Sequence, residues 1–410
     1  MQYVDATILG IVTGASYALV AVSITLMFRS TGVLSLAHAA FATTGAYIYY
    51  DFSVLQGWPR PLAAVGALVV TVIYGLLLER FAIRRVRGAT SATKLMVTLG
   101  VVALTIGLML ERYGFEPVRA DLLLPDGSFP VSGVKVSYQE ASMLVVAAVS
   151  AVLLGWFLKQ TRFGVAVRGV AENSEASRLM GVSLTTVARF NWGVGALLAG
   201  ITGVLTAPLA SINPGSSMLL LVKALTGTLF GGLASLPMAF VGGIAVGVVQ
   251  AITVIQANKP GSQELATLLI VVALMVFRKS WAAEIRDESA DPGGNRRWKI
   301  PRPAVLDSQS FQTSMRVLGI STVGMVAVLA IVMPITSNRW AFGGGGGLFY
   351  IIEALSLVLL VGWGGQVSLM QGAYVGIGAF MTAFLVGEWG WPLELAIPAA
   401  ALSGVAMGAI

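Results

Sequence analysis

The stretch Thr161–Ser183, TRFGVAVRGVAENSEASRLMGVS, gathers side chains that can act on something outside the chain. Arg168 and Glu172 stand four apart, as do Ala171 and Glu175. That spacing predicts a short helix from about Ala166 to Met180, with an Arg168–Glu172 bridge on one face. Gly181 stands where a left-handed cap would end it. A short helix with small residues and an exposed acid suits docking into a groove on a partner. Spacing alone favours a plainer account, a solvated connecting helix held by its own ion pair. A second set, Ser35, His38, Ser368 and Gln371, lies within long apolar sequence. Polar side chains at membrane depth are functional candidates by default; the structural alternative is an interhelical hydrogen bond. No carboxylate pair, nucleophile–base pair or metal-ligand cluster emerges, so neither an enzyme nor a cofactor is expected. The single histidine and the absence of cysteine exclude a multi-histidine site and thiolate chemistry.

The elements that position these residues are membrane helices. The chain is 56% hydrophobic and only 11% charged, with mean hydropathy +0.83. A soluble protein of 410 residues could not cover its surface with so few charges. Apolar runs without a charge, such as Leu62–Leu78, Met143–Leu158 and Ala239–Ile255, define an all-α polytopic bundle. Candidate spans fall at 4–28, 31–50, 61–79, 95–112, 140–158, 187–207, 217–233, 236–255 and 265–278, then at 316–334, 348–363, 366–387 and 391–410. The span at 265–278 is short for about 30 Å of hydrocarbon and is expected either to sit where the bilayer thins or to extend at its ends. Glycine is high, at 48 residues, which suits close helix packing. Pro214 and Pro237 mark breaks where irregular backbone can face a cavity.

Lysine and arginine cluster in three loops, around Arg80–Lys94, Lys159–Arg189 and Arg278–Arg316. Placing all three in the cytoplasm obeys the positive-inside rule and puts the N-terminus outside. The net charge of +7 thus reports topology, and no nucleic-acid partner is expected. Asp5 precedes the first apolar run and no basic leader is evident, so no cleavable signal peptide is expected. Residues 280–315 are polar and mixed in charge, a cytoplasmic linker between a first unit, 1–279, and a second, 316–410. Gly343–Gly347 reads as a flexible outside turn, with no Lys and Ser/Thr placed for a phosphate loop.

The two units carry a repeat. GVLSLAHAAFATTGAY, Gly32–Tyr47, aligns with GQVSLMQGAYVGIGAF, Gly365–Phe380, at six identical positions of sixteen. Ser35 matches Ser368, and His38 matches Gln371, so each unit sets a polar side chain at one level. Gly45 and Gly378 also match and suit helix packing. Ten crossings separate the two copies, so they are expected to run parallel, related by an axis along the membrane normal.

Arg168, Ala171–Asn173, Ala176 and Gly181–Val182 resemble the cytoplasmic coupling loop of bacterial ABC importer permeases, most closely those for branched-chain amino acids. LSLAHAAF, Leu34–Phe41, and KALTGTLFGGLASLPMAFVGG, Lys223–Gly243, resemble further motifs of that family. GWGGQVSLMQGAYVGIGAF, ending at Phe380, is similar to the sister permease of the same system. Residues 1–279 resemble one permease throughout, and residues 316–410 only the opening third or so of the other. The resemblance implies an importer fed by a periplasmic or lipid-anchored binding protein. It also implies separate ATPase subunits that grip the coupling loop, and a second permease unit. It assigns Arg168, Glu172, Asn173, Ala176 and Gly181 to ATPase coupling, and Ser35, His38, Ser368 and Gln371 become candidates for the path. No G-x-x-x-x-G-K-[ST] pattern is present, so ATP hydrolysis is expected in a partner. The second unit stops at Ile410 within an apolar run and lacks a counterpart of Arg168–Gly181, as a fragment of a longer fusion would. Urea, amide or sugar import keeps the same class. An ion-coupled carrier would place acids at mid-membrane, whereas here Glu79, Glu111 and Glu140 sit near span ends, with Glu353 the nearest exception.

Overall fold

The computed structural model describes residues 2–277, apart from 32–33, 87–90, 132, 214–215, 258 and 260, together with Ser356 and residues 370–408. The chain divides into two units at Pro292/Gly293. In the first, the long helices are α1 (Gln2–Thr31), α3 (Arg60–Phe81), α4 (Ser91–Tyr113), α5 (Tyr138–Gln160), α8 (Leu184–Thr206) and α10 (Leu236–Ala257). These are the six described helices long and apolar enough to cross a membrane. Three shorter helices lie on the other expected runs: α2 (Ala37–Tyr50) and the apolar α9 (Ser216–Phe230) and α11 (Ser262–Phe277). At 14, 15 and 16 residues they reach only about 21–24 Å. A π-helical turn, Asp51–Leu55, lengthens α2. The expected 265–278 span does extend, by starting at Ser262.

Helix α1 is the central post, with α10, α8 and α5 packed round it. The contact with α10 follows from two facing small-residue motifs. Gly10 and Gly14 on α1 meet Gly243 and Gly247 on α10 so closely that a Cβ on Gly14 would stand 2.8 Å from the Ile244 Cα. A second approach joins α2 and α8, where a Cβ on Gly45 would lie 2.7 Å from the Gly200 oxygen. Gly45 therefore serves packing.

Polar contacts tie helix ends on the two faces. On one, Tyr113 donates to the Asp51 Oδ2 at 2.7 Å, with Arg112 at 3.7 Å. Val118 pairs with Ile212 by two backbone hydrogen bonds, 3.2 and 2.7 Å. On this side the 114–137 segment ends in a small antiparallel hairpin, β1 (Ser128–Val131) with β2 (Val134–Ser137). The charge pattern gave no sign of it. A capping box between Ser137 and Glu140 then opens α5.

On the opposite face the Glu79 carboxylate is wholly buried, with Arg84 at 2.7 Å and Arg189 at 3.9 Å. Both arginines reach water, so the buried charge is the acid. Arg84→Met is expected to cost up to about 3 kcal/mol, because it strips the nearest described cation from a buried anion and leaves Arg189 at 3.9 Å. Glu79→Gln should cost less, since it leaves no buried charge behind. Thermal unfolding of the detergent-purified chain ranks the two, and the reverse order would refute this assignment.

In the second unit α12 (Gln371–Gly387) and α13 (Leu393–Gly408) are apolar helices joined by a tight turn with Gly390 at φ +65°. Helix α12 starts within one residue of the position aligned with the start of α2. Both are preceded by a helical residue without a side-chain cap, Met370 (φ −85°) and Leu36 (φ −83°). The linker, Gly343–Gly347, the span at 316–334 and, but for Ser356, the span at 348–363 lie outside the described residues, as does Ser368.

Candidate functional site

Two helices, not one, build the Thr161–Ser183 segment: α6 (Arg162–Glu172) and α7 (Ser174–Leu179). The break is at Asn173, whose backbone is extended (φ −151°) and whose Oδ1 accepts from the Ala176 N–H at 2.9 Å. Asparagine competes for the backbone and starts a new helix instead of continuing the old one. Gly181, at φ +84°, closes α7 as expected: its N–H donates to the Arg178 carbonyl, and that of Val182 to the Ser177 carbonyl. The expected Arg168–Glu172 bridge does not form among the described residues. Glu172 is exposed at the last position of α6, whereas the Arg168 Nε is buried without a hydrogen-bond partner.

The loop turns an unusual surface outward. Glu172, Asn173, Ser174, Glu175 and Ala176 are exposed, and beside them Leu179 and Met180 are each 85% exposed. A self-contained connecting helix would tuck two such side chains away.

Ser35 and His38 are buried where α2 begins, against α1 and α8. The Ser35 Oγ accepts from the Ala37 N–H at 3.3 Å. The His38 Nδ1 donates to the Ser35 carbonyl at 3.1 Å, which leaves Nε2 as an acceptor, buried and without a partner. The interhelical hydrogen bond that would make His38 purely structural is therefore missing from its free nitrogen. Gln371, its counterpart, opens α12 and is half-buried.

A cavity of about 310 Å³ lies at the break between α8 and α9. Thr13, Ser16 and Tyr17 of α1, Thr206 of α8, Ser211 of the break and Lys223 of α9 give it polar groups. Ala42, Ala46, Ile212, Leu219 and Leu220 supply apolar wall. The Lys223 ammonium stands 5.6 Å from the Tyr17 ring centre. The Tyr17 hydroxyl donates to Gln250 at 3.1 Å, and the Gln250 amide donates to Thr267 at 2.6 Å. This chain holds the ring in place across α1, α10 and α11. Sequence reasoning quoted Lys223 only inside a motif. The signal was there: a lone cation in the apolar run of α9.

A polytopic helix bundle with short, interrupted helices round a small mixed-polarity cavity, and an outward loop on its basic face, is a solute permease in architecture. The sequence comparisons agree. Residues 6–278 match the family described as branched-chain amino acid transport system / permease component, and the chain belongs to it. BraD, a high-affinity branched-chain amino acid transport system permease protein of Pseudomonas aeruginosa, is 29% identical over 61% of this chain and 86% of its own. LivH of Escherichia coli K12, described in the same words, is 26% identical over 65% and 91%. A probable branched-chain amino acid transport permease protein, LivH of Methanocaldococcus jannaschii, is 24% identical over 63% and 85%.

Proposed function

We propose that this chain is the membrane-spanning subunit of an ATP-driven importer of branched-chain amino acids in the cytoplasmic membrane. The α6–α7 loop is the grip for separate ABC ATPase subunits, and a periplasmic or lipid-anchored binding protein delivers substrate to the opposite face. Residues 1–279 act as one permease unit, 280–315 as a cytoplasmic linker and 316–410 as the start of a second unit. A further permease subunit is a partner in forming the path. The observation that carries this reading is the pair Leu179 and Met180, large apolar side chains left exposed on a polar loop of a permease-family chain.

On the path, the cavity at the α8–α9 break suits a small zwitterion with an aliphatic tail. Its volume is at the lower end of the range for small-molecule sites, about 300–1,000 Å³. The Lys223 ammonium would meet the carboxylate, and Ala42, Ala46 and Leu220 the side chain. The unpartnered His38 Nε2 supports a role deeper on the route for Ser35 and His38, with Ser368 and Gln371 as their counterparts.

Uptake of leucine into vesicles carrying the full chain tests the proposal. Import is expected only with ATPase subunits, binding protein and ATP together. Lys223→Met should lower uptake about tenfold, the loss of one charge-assisted contact. Robust uptake driven by an ion gradient alone would overturn the importer reading, and wild-type uptake by Lys223→Met would remove that residue from the path.

A further inference from the structure

A second and larger cavity, about 850 Å³, opens where α1, α5 and α6 meet the turn before α10. One face of α5 forms its wall: Ala148, Ala151, Val152, Gly155, Trp156 and Lys159 recur at steps of three and four. Val152 is 70% and Trp156 60% exposed, so this face looks outward from the bundle. Residues Ala234–Pro237, with Phe240 and Val241 of α10, form the facing wall. Here irregular backbone beside Pro237 does line a cavity, as the proline break suggested.

The charges lie at one end. Arg29 is in the last turn of α1, Lys159 in the last turn of α5, and Arg168 on α6. Glu172 is the one acid among the lining residues. The Arg168 Nε is buried there with no acceptor. Three cations against one acid leave the site short of negative charge, and a desolvated donor costs free energy until an acceptor arrives. Both shortages lie on the basic face of the bundle, above an apolar trough that ends in a tryptophan.

We propose that this groove holds an anionic phospholipid, its phosphate among Arg29, Lys159 and Arg168 and one acyl chain along α5. Basic pockets between helices on the cytoplasmic side recognise such headgroups, and a tryptophan at that depth marks the headgroup level. A partner's apolar helix would fill the trough but leave the cations unanswered. Free phosphate would answer the cations but not the trough. The lipid would also brace α6, since Arg168 stands one turn from Glu172, and so connects the coupling loop to the bilayer.

Native mass spectrometry of the full chain in mild detergent tests this, with phosphatidylglycerol and phosphatidylcholine of matched acyl chains. The wild type is expected to retain phosphatidylglycerol about tenfold or more over phosphatidylcholine, and inorganic phosphate should not displace it. The triple variant Arg29→Gln, Lys159→Gln, Arg168→Gln should lose that preference. Ala151→Phe, which fills the trough and leaves every charge in place, should weaken phosphatidylglycerol retention about tenfold as well, and it serves if the triple variant fails to fold. Equal retention of the two lipids by the wild type would overturn the proposal. So would displacement by phosphate, or wild-type preference in a folded triple variant or in Ala151→Phe.

Discussion

Gly247→Leu is expected to leave little folded protein. Helices α1 and α10 approach through glycine on both sides, with Gly10 and Gly14 against Gly243 and Gly247. A Cβ added at Gly247 would overlap the Gly14 Cα, and one at Gly10 would stand 2.6 Å from the Val248 Cα. The obstructing atoms are backbone, so no rotamer change relieves the clash and the helices must separate. Separation opens the contact along the central post and breaks the Tyr17–Gln250 bond that crosses it. Overpacking a side-chain contact costs about 1–3 kcal/mol, and a backbone clash belongs at or above the top of that range. Gly100→Leu on α4 is the control, because a Cβ there meets nothing within 4 Å. Membrane-inserted yield and melting temperature in detergent measure both. Equal yields would show that the two helices do not pack through these glycines.

The helical course of the first unit was readable because hydropathy and charge act over whole windows. Nine apolar runs became nine helices among the described residues, six of them long and apolar enough to cross a membrane. Single residues against their window were harder to read. Lys223 scarcely changes the hydropathy of α9, yet it supplies the cation of the small cavity. Asn173 has the right spacing to sit inside a helix, yet its side chain takes the backbone bond that splits the segment in two. Arg168 and Glu172 have ideal i,i+4 spacing and both line the groove behind α6, yet no bridge joins them: the Arg168 Nε is buried and Glu172 is exposed. Spacing states which side chains could meet; the packing of α5 and α10 round that groove decides which do. Partner choice among glycines is likewise a matter of packing: Gly45 and Gly378 align in sequence, but only for Gly45 do the described residues show a close approach, to Gly200.

The second large effect is expected at the tip of the α6–α7 loop. Leu179→Asp with Met180→Asp should abolish ATPase attachment while leaving the membrane fold intact. Both side chains are 85% exposed, so changing them removes no internal contact, and exposed substitutions of that kind stay within about 0.5 kcal/mol of wild-type stability. Burying each against a partner would contribute about 1.5–3 kcal/mol, so losing both weakens attachment by about a hundredfold or more. Glu172→Ala should have a smaller effect, near tenfold, because an exposed acid contributes one polar contact at the rim. Gly181→Ala acts differently: at φ +84° an alanine strains the cap that closes α7, at a cost of about 1 kcal/mol, and tilts the tip without changing its chemistry. Co-purification of the ATPase subunits, read beside ATP-dependent uptake, separates these cases. The double aspartate variant should lose both readouts. Gly181→Ala should keep most of the attachment and lose part of the uptake, because a tilted tip can still bind yet transmits movement less directly to α6 and α8. Full attachment by the double aspartate variant would mean that the exposed pair meets something other than the motor.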